Sequence, residues 1–134
     1  FMASLSAFLH PEMAENKEVV VSSRFKEGGK VVPFVIRPIT QKENEELLKK
    51  YRKVDKQGVE QFNRIGYNQE LVAAAVVEPD LNNAELQKAN GVLGAAKTLA
   101  AMLYVGEYAS LMEAVQELSG LDKDINDEVE EVKN

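Results

Sequence analysis

The stretch ELVAAAVVEP, residues 70–79, constrains this chain more than any other. From Leu71 to Val77 it is apolar on every side, so it must be buried on more than one side and the remaining elements must wrap it. Its three consecutive alanines favour a helix, its three valines leave a strand admissible, and Asn68 is placed to cap a helix beginning at Gln69. Pro79 ends the element, because the residue before a proline avoids the α region. A chain of 134 residues supplies one ordinary domain to enclose such a segment and too little for two.

The flanking sequence divides into short elements. Leu5, Phe8 and Leu9 lie at helical spacings before His10-Pro11, predicting one or two helical turns that need a docking surface or a partner. EVVVSSRF and KVVPFVIRPI read as two β-strands joined at Gly28-Gly29, with Pro33 marking an edge or an irregular start. Thr40 followed by Glu43 is a capping box, opening a helix TQKENEELLKKYRK that buries Leu47, Leu48, Tyr51 and Val54. From Asp55 to Gly66 the signal weakens, although Val59, Phe62 and Ile65 repeat every three residues as another turn or two of helix would.

After Pro79, Asn82 with Glu85 opens a short helix NAELQKAN that Gly91 closes. LGAAKTLAAML forms a further helix with Leu99, Met102 and Leu103 inward. A last helix runs from about Glu107 to Ser119, with Tyr108, Leu111, Met112, Val115 and Leu118 as its apolar stripe and Gly120 as its stop. The expected fold is α+β but mainly α-helical: an N-terminal β-hairpin packed on a bundle of about four to five helices. Residues 1–120 form the single domain. In segment 121–134 six acids oppose two lysines, a net −4 out of −6 for the chain, and this composition predicts a mobile tail. Phe1, standing ahead of Met2, is set aside as foreign to the natural chain.

The inventory for chemistry is thin. There is no cysteine, and the one histidine, His10, lies in the loose N-terminal segment, which removes most nucleophile-and-base schemes. GVLGAAKT lacks the spacing and the Lys-Ser/Thr ending of a phosphate loop. EPDLNNAEL imitates a calcium loop through Asp80, Asn82 and Glu85, but the turn glycine and the twelfth-position glutamate are missing, so the sequence reads as a corner between helices. Glu43, Glu45 and Glu46 supply carboxylates without the aromatic-rich cleft that sugar chemistry needs, since aromatics are 7% and tryptophan is absent. No cofactor or metal site is expected.

Net acidity argues against nucleic acid, and the basic run Lys49, Lys50, Arg52, Lys53, Lys56 is explained as the C-terminal end of a helix. No apolar run reaches the length of a membrane span and no signal peptide is legible, so a cytosolic protein is expected. What remains is binding. Leu99, Met102, Tyr104, Tyr108 and Met112, at helical spacings in the last two helices, are core residues by default and candidates for a groove that receives a partner helix.

Taken in order, LSAFLHPE, PFVIRPITQKENEEL, YNQELVAAAVVEPDLNNAELQKANGVLGA and MLYVGEYASLMEAVQELSG resemble one family, the XkdN-like phage tail assembly chaperones of tailed phages and prophage-like elements of Firmicutes. The resemblance spans Leu5 to Gly120. It implies a non-enzymatic role in the host bacterial cytoplasm: binding the tape-measure protein, keeping its helices soluble, and helping the major tail-tube protein polymerise around it. It also implies that a longer form can arise by frameshifting near the end of the short one. Weak self-association is admitted; nucleic-acid and membrane partners are not expected. The competing readings are a structural tail or adaptor subunit retained in the virion and, more distantly, an enzyme with an unrecognised carboxylate site.

Overall fold

A computed structural model describes residues 4–121. The acidic segment is therefore outside the described residues apart from Leu121.

The expected helix bundle with one hairpin is corrected by the structure, which is a mixed fold. Among the described residues there are six helices and seven short strands. The helices are α1 (Leu5–Leu9), α2 (Gln41–Tyr51), α3 (Arg64–Ala75), α4 (Ala84–Ala89), α5 (Ala95–Met102) and α6 (Val105–Ser119). The strands are β1 (Lys17–Val19), β2 (Lys26–Glu27), β3 (Lys30–Val31), β4 (Phe34–Ile36), β5 (Arg52–Val54), β6 (Glu60–Phe62) and β7 (Val76–Glu78). They form an antiparallel sheet β1-β4-β7 and two separate two-stranded pairs, β2-β3 and β5-β6.

Two handovers from helix to strand account for the difference. The apolar run is helical only to Ala75; Val76 to Glu78 then pair with β4, with Val76 opposite Ile36 and Glu78 opposite Val35. β-Branched valines suit a strand better than the end of a helix, and extended backbone is what Pro79 requires of its predecessor. Likewise α2 stops at Tyr51, and Arg52 to Val54, expected to continue that helix, pair instead with Glu60 to Phe62, where the sequence left the assignment open. Gly58, at φ +80°, and the Asp55 carboxylate, accepting the N–H groups of Gln57 and Val59 at 2.9 Å each, make that turn.

The N-terminal hairpin is present but broken in the middle. Gly28 and Gly29 take φ of +56° and +78°, the positive values that a tight two-residue turn demands. Between the β2-β3 and β1-β4 ladders, six residues (Val20 to Phe25) face only two, Val32 and Pro33. Pro33 has no N–H for a ladder, so the pairing is interrupted there and the longer arm loops out.

The core lies between β4 and the helices. Phe34 and Ile36, two residues apart on one face of β4, are buried with Val72, Ala73 and Ala75 of α3, Leu99 of α5, and Leu111 and Val115 of α6. Thr98, the buried polar residue, donates its hydroxyl to the Gly94 carbonyl at 2.8 Å. α2 has no fully buried residue. It lies against α3 through half-buried Leu47 and Leu48, the 2.5 Å Lys50–Glu70 ion pair, and a hydrogen bond donated by the Tyr67 hydroxyl to Asn44 Oδ1. The first turn of α3, capped by Asn63 and not by Asn68, passes under the Tyr51 ring.

That close passage rests on a glycine. A Cβ at Gly66 would lie 2.5 Å from Tyr51 Cε1 and 2.8 Å from its Cδ1, so the ring would have to leave its place. Gly66→Ala is expected to be destabilising by about 1 kcal/mol, the overpacking outweighing the better helix propensity of alanine. Urea unfolding would read this as a lower midpoint at unchanged slope; a gain in stability would show that the ring yields freely.

Candidate partner-binding surface

α5 and α6 meet at a two-residue joint, Leu103-Tyr104, whose side chains take opposite roles. Leu103 turns into the core, whereas Tyr104 is 68% exposed and Val105, the first residue of α6, 90% exposed. The joint is fixed from outside. Glu107, in the first turn of α6, accepts the Tyr104 N–H at 2.8 Å and so occupies a backbone donor that the helix leaves unpaired.

Arg24, from the looped-out arm of the hairpin, grips the same carboxylate with two nitrogens, at 2.5 and 3.0 Å. It also donates to the Met102 carbonyl at 2.9 Å, and its guanidinium carbon sits 4.1 Å from the centre of the Tyr104 ring. One arginine thus ends α5, opens α6 and supports the exposed tyrosine. The Arg24 guanidinium, then the Ser22 hydroxyl and the Tyr104 amide, hold the Glu107 carboxyl down at about 2.

This sets a pH dependence. A folded-state pKa below the unfolded value near 4.3 means that the stabilisation is present at neutral pH and disappears as pH falls from about 4.5 through about 2. The difference in thermal midpoint between the protein and Glu107→Gln should accordingly be largest above pH 5 and close towards pH 2. A gap independent of pH would show that the carboxylate charge contributes nothing.

The five residues singled out in the sequence occupy three depths. Leu99 is fully buried in the core. Met102, Tyr108 and Met112 are half-buried and pack against it from the side. Tyr104 is on the surface; as the residue that caps α6 it precedes by four and eight positions Tyr108 and Met112, which share one helix face. The Tyr108 hydroxyl is enclosed without a hydrogen-bond partner among the described residues, and burial pushes its pKa up.

Other exposed apolar groups lie outside the five candidates, among them the N-terminal turns expected to need a docking surface or a partner. α1 buries none of its residues, leaving Leu5, Phe8 and Leu9 in solvent, with Met13 beyond them. The β5-β6 hairpin is exposed on both faces and presents Val54, Val59 and Phe62, with Ile65 just after it. Arg24 and Val105 carry no local signal that distinguishes them from surface residues. Clustered exposed apolar side chains of this kind mark surfaces for other proteins.

The acidic corner that imitated a metal loop is occupied with its own backbone. Asp80 accepts the Asn82 N–H at 3.0 Å, and Asn83, one residue later than expected, caps α4 by accepting the Leu86 N–H at 3.1 Å. Gly91, at φ +67°, closes that helix as expected. Among the described residues no group of three or more acidic or histidine side chains converges as a metal site, and no helix is long and apolar enough to cross a membrane.

Comparison with known proteins gives a consistent answer. The family model described as phage XkdN-like tail assembly chaperone protein matches residues 5–133. The chain is 29% identical over 127 residues to the phage-like element PBSX protein XkdN of Bacillus subtilis strain 168, covering 90% of this chain and 86% of that one. It is 33% identical over 128 residues to the uncharacterized protein YqbN of the same organism, covering 90% and 85%. The crystal structure of the protein YqbN superposes with a TM-score of 0.75 at 27% identity, covering 90% of this chain and 98% of that one. With a family model spanning nearly its whole length and a matching fold, the chain belongs to the XkdN-like phage tail assembly chaperones.

Proposed function

We propose that this chaperone acts without catalysis in the host bacterial cytoplasm, binding the tape-measure protein and helping the tail-tube protein polymerise around it. The observation that carries the reading is the α5–α6 joint, where Tyr104 and Val105 stand in solvent on a rigid support while Met102, Tyr108 and Met112 flank them half-buried. A tape measure offers long amphipathic helices, and an apolar ridge with adaptable methionines beside it suits many similar segments. Net acidity keeps the loaded complex soluble.

Co-expression with the tape-measure protein of the same phage tests this. Its soluble yield should rise, and the two should purify together; no change in yield and no co-purification would refute the reading. A second reading, a tail or adaptor subunit retained in the virion, is favoured by one feature. β1 and β7 are the outer strands of the three-stranded sheet, and either edge could accept an added strand. Mass spectrometry of purified virions separates the two, since a transient chaperone is absent from them.

A further inference from the structure

The β5-β6 hairpin is anomalous in two respects that the chaperone reading does not use. An isolated two-stranded pair is marginal in water, yet this one buries no residue and holds Val54, Val59 and Phe62 in solvent. It also sits in a basic stretch of an acidic protein: residues 49–64, from the last turn of α2 to the start of α3, carry six lysines and arginines against two acids, a net +4, of which the hairpin itself holds +1. Part of this charge is already paired, Lys50 with Glu70 at 2.5 Å and Arg52 with Glu60 at 3.5 Å. Lys49, Lys53, Lys56 and Arg64 have no ion-pair partner among the described residues. Between the hairpin and the end of α2 lies a cleft of about 440 Å³ lined by Lys50, Tyr51, Lys53, Gln61, Phe62 and Asn63.

We propose that this apolar hairpin, with the basic residues that flank it, is the docking surface for the chain's own acidic segment, residues 122–134. Charge is opposite in sign: with Leu121, the segment carries −4, against +4 for residues 49–64, or +3 once Lys50 is counted with Glu70. Apolar pattern matches too. Leu121, Ile125, Val129 and Val132 recur at intervals of four, four and three among the six acids, a spacing that supplies apolar anchors for Val54, Val59 and Phe62.

The reach is sufficient. Ser119, at the end of α6, accepts the Ile39 N–H at 3.0 Å, which places the exit of the segment beside the start of α2. α2 has 11 residues and so spans about 16 Å to its basic end. The 13 residues from 122 to 134 reach about 43 Å when extended and about 20 Å when helical, so either form covers the distance. Docking in this way shields the apolar hairpin and offsets the positive charge around it.

The absence of cysteine makes a clean test available. In the full chain, Asn134→Cys carries a single nitroxide label, and paramagnetic broadening of backbone amide signals reports what lies near it. At low salt, amides of Arg52 to Phe62 should lose at least about half their intensity, recovering at about 0.5 M salt, where exposed charges are screened. Lys53→Glu with Lys56→Glu should abolish the broadening while the unlabelled spectrum remains that of the folded protein. Broadening confined to residues around Ser119 and Leu121, or insensitive to both salt and charge reversal, would overturn the proposal. So would broadening of the hairpin only in mixtures of a labelled and an isotope-enriched copy, because the occupant would then be a second molecule.

Discussion

Leu99→Ala should destabilise the protein by about 3 kcal/mol and lower its thermal midpoint by about 10 °C. Leu99 is fully buried on α5, which packs against α3, and it belongs to the same cluster as Val72, Ile36, Leu111 and Val115. Removing three carbons there loses their transfer free energy and leaves a cavity that two helices and a sheet cannot collapse around. Leu99→Met keeps the volume and should cost less than about 1.5 kcal/mol. Paired urea titrations of the two variants check this, and a Leu99→Ala cost below about 1 kcal/mol would mean that the site relaxes freely. Leu99 was a candidate for partner contact, so any binding loss in this variant has to be measured well below its lowered midpoint.

Leu99 also shows how far the sequence could be read. Helical spacing reports which residues share a face; it does not report whether that face meets the core or a partner. Spacing alone therefore grouped Leu99 with Tyr104, one fully buried and the other 68% exposed. The α2 cap and the glycine stops were legible because their chemistry is local: Thr40 with Glu43, Gly91 and Gly120 act as expected, and Gly28-Gly29 turns a hairpin, whereas the caps expected at Asn68 and Asn82 fall to Asn63 and Asn83.

The strands were harder because their pairing is not local. Val76 to Glu78 continue an apolar helix in sequence, and only β4, some forty residues earlier, makes them a strand. In the β5-β6 region the threefold recurrence of Val59, Phe62 and Ile65 left the assignment open, and a better signal lay beside it. That signal was Asp55 followed by Gly58, the pair that makes the observed turn. Arg24 was illegible for a related reason. Its importance comes from meeting Glu107, 83 residues away, and Met102 at the α5–α6 joint.

Tyr104→Ser with Val105→Ser is the complementary experiment, removing contact surface while keeping the core. Both side chains are exposed, so the thermal midpoint should fall by no more than about 3 °C, most of that from the lost Tyr104 stacking on Arg24. Capture of the tape-measure protein should weaken at least tenfold, because an exposed aromatic on a fixed support is the kind of anchor that dominates helix binding. Its support matters as much as its area: the Arg24–Glu107 pair holds the joint before a partner arrives, so little ordering remains to be done on binding. Glu107→Gln should therefore weaken capture as well, although it removes no apolar contact. Phe8→Ser with Leu9→Ser provides the control, altering an equally exposed apolar pair on α1. If the α1 variant loses capture and the Tyr104 variant keeps it, the partner lies on α1 and the α5–α6 joint is not the binding surface. If both lose it, the tape-measure helix touches both surfaces, and the chaperone grips it at more than one point.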